Sequence, residues 1–288
     1  MSIIKSIFFF LLKFFYFFDI LLFFFFNKKI SIYIYEFIRD RSYVSIYINR
    51  KLVKFFTPNN LIKWRIDTFY SKEPETLDWI NNFSKKNVTF WDIGANIGLY
   101  SIYAALIHKN IKVICFEASS NNLGILARNI SINQLTNRIC INPFPLSNKE
   151  NKYLLMKEKD FIEGGALNTF GENLNFEGKK FSSDNSYRVY GTTINFLIQN
   201  KILEIPDYIK IDVDGIEHLI LEGGNKYLNN KKIKSISIEL NENFSEQLNK
   251  VIKIMNKSKF IFTQKKHAKY LDSSKKFAKT FNYIFEKN

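Results

Sequence analysis

Acids close three of the apolar runs in this chain. Val88-Thr89-Phe90-Trp91 ends at Asp92, Val113-Ile114-Cys115-Phe116 ends at Glu117, and Ile209-Lys210-Ile211 ends at Asp212. The first acid is followed by Gly94, Asn96 and Gly98, then by the apolar-periodic segment Leu99–Ile107. That order reads as strand, tight glycine turn and helix, in which a nucleotide-like ligand lies against backbone N–H groups at a helix start. Glycine lets the backbone approach a ligand with no Cβ in the way. Glu117 falls nineteen residues beyond Gly98. An acid there, at the tip of the neighbouring parallel strand, can accept both hydroxyls of a ribose. A loose glycine pattern arises often by chance; the strand before it, the helix after it and the acid at that distance give this one its weight.

The turn also discriminates between ligands. A dinucleotide-binding turn reads G-x-G-x-x-G and leaves room for a pyrophosphate. Here Asn96 stands in place of the middle glycine, and Asp92 would repel a pyrophosphate. An acid at Asp92 suits a cation, such as the ammonium of a methionine-derived moiety, so the turn favours S-adenosylmethionine over NAD. A second chemical centre is Asp212-Val213-Asp214-Gly215-Ile216-Glu217, three carboxylates within six residues. In open α/β sheets this strand tip lies beside the glycine turn, at the ligand crevice. A hydroxyl acceptor needs a base, and the candidates are Asp212 by position, His267 by the ordinary pKa of its imidazole, and Glu217. Glu217 also suits a helix first turn through the macrodipole. A divalent metal between Asp212 and Asp214 stays open at this point.

These segments resemble one family. Glu73-Pro74-Glu75-Thr76-Leu77-Asp78-Trp79, then Trp91-Asp92-Ile93-Gly94-Ala95-Asn96-Ile97-Gly98, then Phe116-Glu117, then Ile209–Glu217 are similar to the FkbM-type S-adenosylmethionine-dependent methyltransferases. The resemblance runs from Glu73 to Phe285. It implies a class I methyltransferase sheet and O-methylation of a hydroxyl on a glycan, polyketide or lipid-linked product. Gly164-Gly165-Ala166-Leu167-Asn168 matches a recurrent family segment on the substrate side. Two positions depart from the pattern: Asn195 stands where the family commonly has Asp, and Asp214 where it usually carries Glu.

The elements that must position these residues alternate in type. Strand Val88–Trp91, helix 97–108, strand Lys112–Phe116, helix 121–132 and strand Arg138–Asn142 form a βαβαβ run, hence a parallel sheet with right-handed crossovers. Asn142-Pro143-Phe144-Pro145 reads as a turn. After an irregular 150–190 come helix Thr193–Asn200, strand Pro206–Ile211, helix 216–228, strand Ile233–Leu240, helix 244–256 and a closing antiparallel pair, Phe260–Thr263 and Phe281–Phe285. The expected fold is a Rossmann-like, mostly parallel seven-stranded α/β sheet with helices on both faces. Ahead of it, Val44–Ile48 and Leu52–Phe56 read as a β-hairpin turning at Asn49-Arg50-Lys51, and Glu75–Phe83 as a short helix. His108 is expected as a surface cap, His218 facing solvent.

Ile7–Phe26 is apolar except for Lys13 and Asp19, and twenty residues can span a bilayer. Its apolar residues outweigh the two charges narrowly. No small-residue cleavage site follows. The expected organisation is an apolar N-terminal helix and membrane anchor over 1–29, with Lys28-Lys29 as cytoplasmic flank, an extension over 30–86, and the methyltransferase domain over 87–288. The protein is then placed in the cytoplasm, attached to the inner membrane face. A net charge of +15 would admit nucleic acid, but the lysines are spread along the 288 residues, so the expected partner is a small molecule or glycan and no nucleic acid. Cys115 and Cys140, each in an apolar run, read as buried strand residues without disulfide or metal spacing. The rival readings are a nicotinamide-dependent oxidoreductase, against which Asn96 speaks, and a catalytically inactive membrane-associated scaffold, against which the intact strand-tip acids speak.

Overall fold

The computed structural model describes residues 3–287. The chain divides into a compact unit ending at Tyr43 and another beginning at Val44. In the first, α1 (Ile3–Phe26) and α2 (Ile30–Arg39) are joined by an Asn27–Lys29 link. Ser6–Phe26 within α1 is long and apolar enough to cross a membrane. Asp19 of α1 accepts both the backbone N–H (3.0 Å) and the hydroxyl (2.5 Å) of Ser31 in the first turn of α2.

The second unit opens with the hairpin β1 (Tyr43–Ile48) and β2 (Lys51–Phe56). Asn49 and Arg50 both take positive φ, as a two-residue turn of the primed type requires. The free edge of β2 is covered by α7 (Ser120–Ile132) and its C-cap: Asn129 accepts from Phe56 N, and Asn133 both accepts from Lys54 N and donates to Lys54 O. Amide side chains thus stand in for a neighbouring strand. Helices α3 (Asn60–Asp67), α4 (Phe69–Lys72) and α5 (Pro74–Asn81) follow, the last begun by proline at its first turn, where the missing N–H costs nothing.

The large sheet contains β3 (Val88–Ile93), β4 (Ile111–Phe116), β5 (Ile139–Asn142), β9 (Tyr208–Ile211), β10 (Ser235–Asn241), β11 (Ile261–Lys266) and β12 (Thr280–Glu286), in the order β11-β12-β10-β9-β3-β4-β5. β3 pairs in parallel with both β4 and β9, and β12 runs antiparallel between β10 and β11. All six residues of β3 are buried, as a central strand covered on both faces must be. Successive side chains point to opposite faces. Phe90 meets Trp79 of α5 and Phe83, while Trp91 lies in the core with Phe116 and Ile194 of α8 (Ile194–Gln199). Trp79 donates from Nε1 to Ser235 Oγ at 2.9 Å, fastening α5 to β10. The other helices are α6 (Leu99–Ile107), α9 (Glu217–Glu222) and α10 (Ser245–Lys257).

Several sequence expectations change. Residues 150–190 contain a three-stranded antiparallel sheet of β6 (Lys152–Lys157), β7 (Thr169–Phe170) and β8 (Ser186–Gly191), ordered β7-β6-β8. The helix expected over 216–228 ends as an α-helix at Glu222, because Gly223-Gly224 follows and Gly223 packs directly against the Ser147 carbonyl. His108 is buried, bonding Ile80 O through Nε2 and stacking on Phe83. His218 is buried too, against Phe244. Cys140 is exposed, on an edge strand, and both cysteines are free.

Candidate active site

The glycine turn sits between β3 and α6. Gly94 and Gly98 have φ of +88° and Asn96 +51°. Gly94 and Ala95 donate their N–H groups to Phe116 O, tying the turn to the tip of β4. A Cβ on Gly94 would lie 1.9 Å from the Asp212 carbonyl oxygen, so only glycine fits between β3 and β9 here. Gly98 has a different reason: a Cβ there would strike Leu126 of α7 at 2.6 Å. It opens α6 and does not line the cavity. Asn96, one of the few residue types that tolerates the left-handed region, adds what a glycine could not. Its Nδ2 donates to Gly165 O at 2.7 Å.

Glu117 closes β4 and faces this turn. Its carboxylate accepts Asn96 N–H (2.7 Å) and Ser119 N–H (2.8 Å). Burial, working against those bonds, pushes its carboxyl up to about 7. Asp92 is set back from the cavity wall, 1% exposed. One oxygen accepts Ser101 Oγ at 2.5 Å, while Oδ1 is buried with no partner among the described residues. Burial raises its carboxyl despite Lys210 nearby.

A cavity of about 610 Å³ lies over the turn. The Gly164–Leu167 loop forms one wall and is tied down by four side chains. Arg65 Nε donates to Gly164 O, Asn122 bonds both Gly164 N and Gly165 O, Asn96 bonds Gly165 O, and Asp214 accepts Leu167 N–H at 2.6 Å. Asp214 is therefore turned to the loop rather than paired with Asp212. Burial and then the Asp212 charge push it up to about 6.

At the far end Asp212 meets residues that the sequence reading did not bring together. Oxygens of Glu73, Asp212 and Glu239 lie within 4.8 Å of one another. Lys210, 1% exposed, donates to Asp212 Oδ2 at 2.6 Å, and Lys72 pairs with Glu73. Burial alone would lower the Lys210 ammonium, but Asp212, Glu73 and Asp92 hold it above its ordinary value. Burial, with the Asp212 and Glu73 charges, keeps Glu239 well above the usual carboxylate range. Two ammoniums thus lie directly against this carboxylate set.

Glu217 and His267 fall differently from expectation. Glu217 turns away from the cavity; it accepts from Val213 N, Gly215 N and Gln247 Nε2, bracing the turn at Asp214 and Gly215, both with positive φ. It is a structural acid. His267 does line the cavity, but both ring nitrogens face acceptors, Nδ1 to Thr280 O (2.9 Å) and Nε2 to Asp272 Oδ1 (2.8 Å). Neither is free to take a substrate proton in this arrangement. Lys210 carried a readable signal, a charge inside the apolar run Tyr208-Ile209-Lys210-Ile211.

The strand order, with its single antiparallel strand next to last, and the ligand turn at the centre define a Rossmann-like class I methyltransferase. The model of the methyltransferase FkbM domain matches residues 92–267, more than half of the chain. The chain belongs to that family, and S-adenosylmethionine is its cofactor. Gly94, Asn96 and the strand-tip acid Glu117 line the cavity and fit such a ligand, whereas Asp92 stands behind its wall. Among solved structures it is similar to methyltransferase FkbM from Methylobacillus flagellatus KT (16% identity, TM-score 0.48, covering 71% of this chain and 44% of that one). It is also similar to a putative SAM-dependent methyltransferase from Streptococcus mutans (12%, 0.48, 85% and 55%) and to M. capricolum TrmK in complex with S-adenosyl-homocysteine (14%, 0.41, 74% and 67%). The chain thus spans less than half the length of the first of these. No curated protein matches it.

Proposed function

We propose that this protein is an O-methyltransferase acting on a hydroxyl of a glycan, polyketide or lipid-linked product, held at the cytoplasmic face of a membrane by α1. The observation that carries the reading is the charge balance around Asp212. Lys210 lies against Asp212 and Lys72 against Glu73, and a reacting end whose carboxylates are already paired with ammoniums suits an uncharged acceptor. S-Adenosylmethionine supplies an activated methyl group on a sulfonium. Gly94 and Asn96 line the cavity that receives it, Glu117 takes the ribose hydroxyls, and Asp92, set back from the wall, braces the turn against α6 through Ser101. Gly98 serves by opening α6. Asp212 orients the acceptor hydroxyl and takes its proton at Oδ1, since Oδ2 is held by Lys210. A recessed reacting end favours a small or terminal acceptor group over nucleic acid.

The test uses methyl-labelled S-adenosylmethionine with the full chain and a membrane fraction containing lipid-linked glycans. Label should be recovered in base-stable methyl ethers. Recovery as base-labile esters, as methylamines or in nucleic acid would sink the proposal. In calorimetry, S-adenosyl-homocysteine should bind and NADH should not. Glu117→Ala should weaken that binding by about 1.5–3 kcal/mol, the range for hydrogen bonds to a charged group.

A further inference from the structure

α2 presents an uncovered apolar face. Ile30, Tyr33, Ile34, Phe37 and Ile38 recur at the spacing of one helix side, and each is exposed. The far side carries Ser31, Tyr35, Glu36 and Arg39, with Ile32 its one aliphatic residue. Basic residues bracket the helix: Lys28 and Lys29 before it, Arg39 and Arg41 at its end. Three of these cations sit over aromatic rings, Lys29 on Phe23, Arg39 on Tyr35 and Arg41 on Phe37. A ring capped by a cation is apolar in body and charged at its tip, the form that suits a membrane–water boundary.

What covers this face follows from its neighbour. The exposed apolar residues of α1 run consecutively, Phe8-Phe9-Phe10-Leu11-Leu12, so they surround the helix rather than form one seam. A protein groove covers one side of a helix; lipid covers all of them. The Asp19–Ser31 bonds fasten the first turn of α2 to α1, so both helices share one medium. At ten residues, α2 is about 15 Å long and too short to span a bilayer of about 30 Å. We propose that α2 lies in the plane of an anionic phospholipid surface. Its five-residue apolar face sits in the acyl boundary and Lys28, Lys29, Arg39 and Arg41 at the headgroups. This rests on the reading that α1 enters a membrane.

The experiment uses the full chain in vesicles of phosphatidylcholine and phosphatidylglycerol, in a Cys140→Ser background. Nitroxide labels are placed singly at Phe14→Cys, Ile34→Cys, Tyr35→Cys, Glu36→Cys and Phe37→Cys, and collisions with oxygen and with a water-soluble nickel chelate are compared. The ratio should favour oxygen at positions 34 and 37, favour nickel at 35 and 36, and be highest at 14. Replacing phosphatidylglycerol by phosphatidylcholine should shift 34 and 37 towards nickel. Equal nickel access at all four α2 positions, with 14 still shielded, overturns the inference and leaves the anchor standing. Uniformly deep α2 positions overturn it as well, in favour of a membrane hairpin. Nickel access at 14 removes the anchor itself.

Discussion

Lys210 and Asp212 are two residues apart, so their side chains leave the strand on one side and meet beneath the cavity. Asp212→Asn keeps the shape but cannot accept a proton. Once an acceptor is known, this variant should bind S-adenosyl-homocysteine normally and lose about a hundredfold or more in kcat. Turnover near the parent's value would show that another group is the base. Glu117 yields a pH dependence. Its folded-state carboxyl is raised from 4.5 to about 7, so between those values the folded chain keeps a proton the unfolded chain has lost. Its contribution to stability therefore falls as pH rises through that window. Ribose hydroxyls donate to the ionised form, so affinity for S-adenosyl-homocysteine should rise between about pH 6 and about pH 8, with proton release, and Glu117→Gln should flatten the rise. A parent profile as flat as the variant's would contradict this. Asp92, Gly94 and Glu117 were legible because each ends or follows an apolar run. Glu73 and Glu239 were not joined to Asp212, because their meeting depends on how α4 and α5 approach β10, which no local pattern records.

The parallel strands were legible as elements, since each is an apolar run of sheet length flanked by helical periodicity. The β6–β8 sheet was not: its strands are half exposed, and their few apolar residues are flanked by lysine, tyrosine, serine and arginine. Its strands nonetheless hold the ends of the Gly164–Leu167 loop, since β7 begins at Thr169, right after Asn168. Leu167 has a φ of +66°, and the Asp214 carboxylate is what holds its N–H in that conformation. Asp214→Ala should release the loop without touching the core. Hydrogen exchange should quicken for residues 164–167, S-adenosyl-homocysteine should bind about 1.5–3 kcal/mol more weakly, and the melting temperature should stay near the parent's. Unchanged exchange would mean that Arg65, Asn96 and Asn122 suffice to hold the wall.

At the scale of the whole chain, thirty phenylalanines do two different jobs. Phe55, Phe69, Phe90 and Phe285 are almost wholly enclosed in the larger unit, whereas Phe8, Phe10, Phe14, Phe24 and Phe26 stand exposed along α1. Burying a phenylalanine is worth about 1.5–3 kcal/mol, so the second set contributes that energy only where lipid or another apolar medium receives it. The larger compact unit begins at Val44, and within it Asn129 and Asn133 hold β2 against α7. A chain lacking residues 1–42 should therefore keep its core, melt close to the parent, bind S-adenosyl-homocysteine with unchanged affinity and stay in the supernatant. The full chain should sediment with membranes and resist extraction by high salt, which screens headgroup attraction but leaves apolar burial intact. Release of the full chain by salt alone would reduce α1 to a surface contact. Aggregation of the shortened chain, with the full chain soluble and free of lipid, would assign the α1 phenylalanines to a protein interface instead.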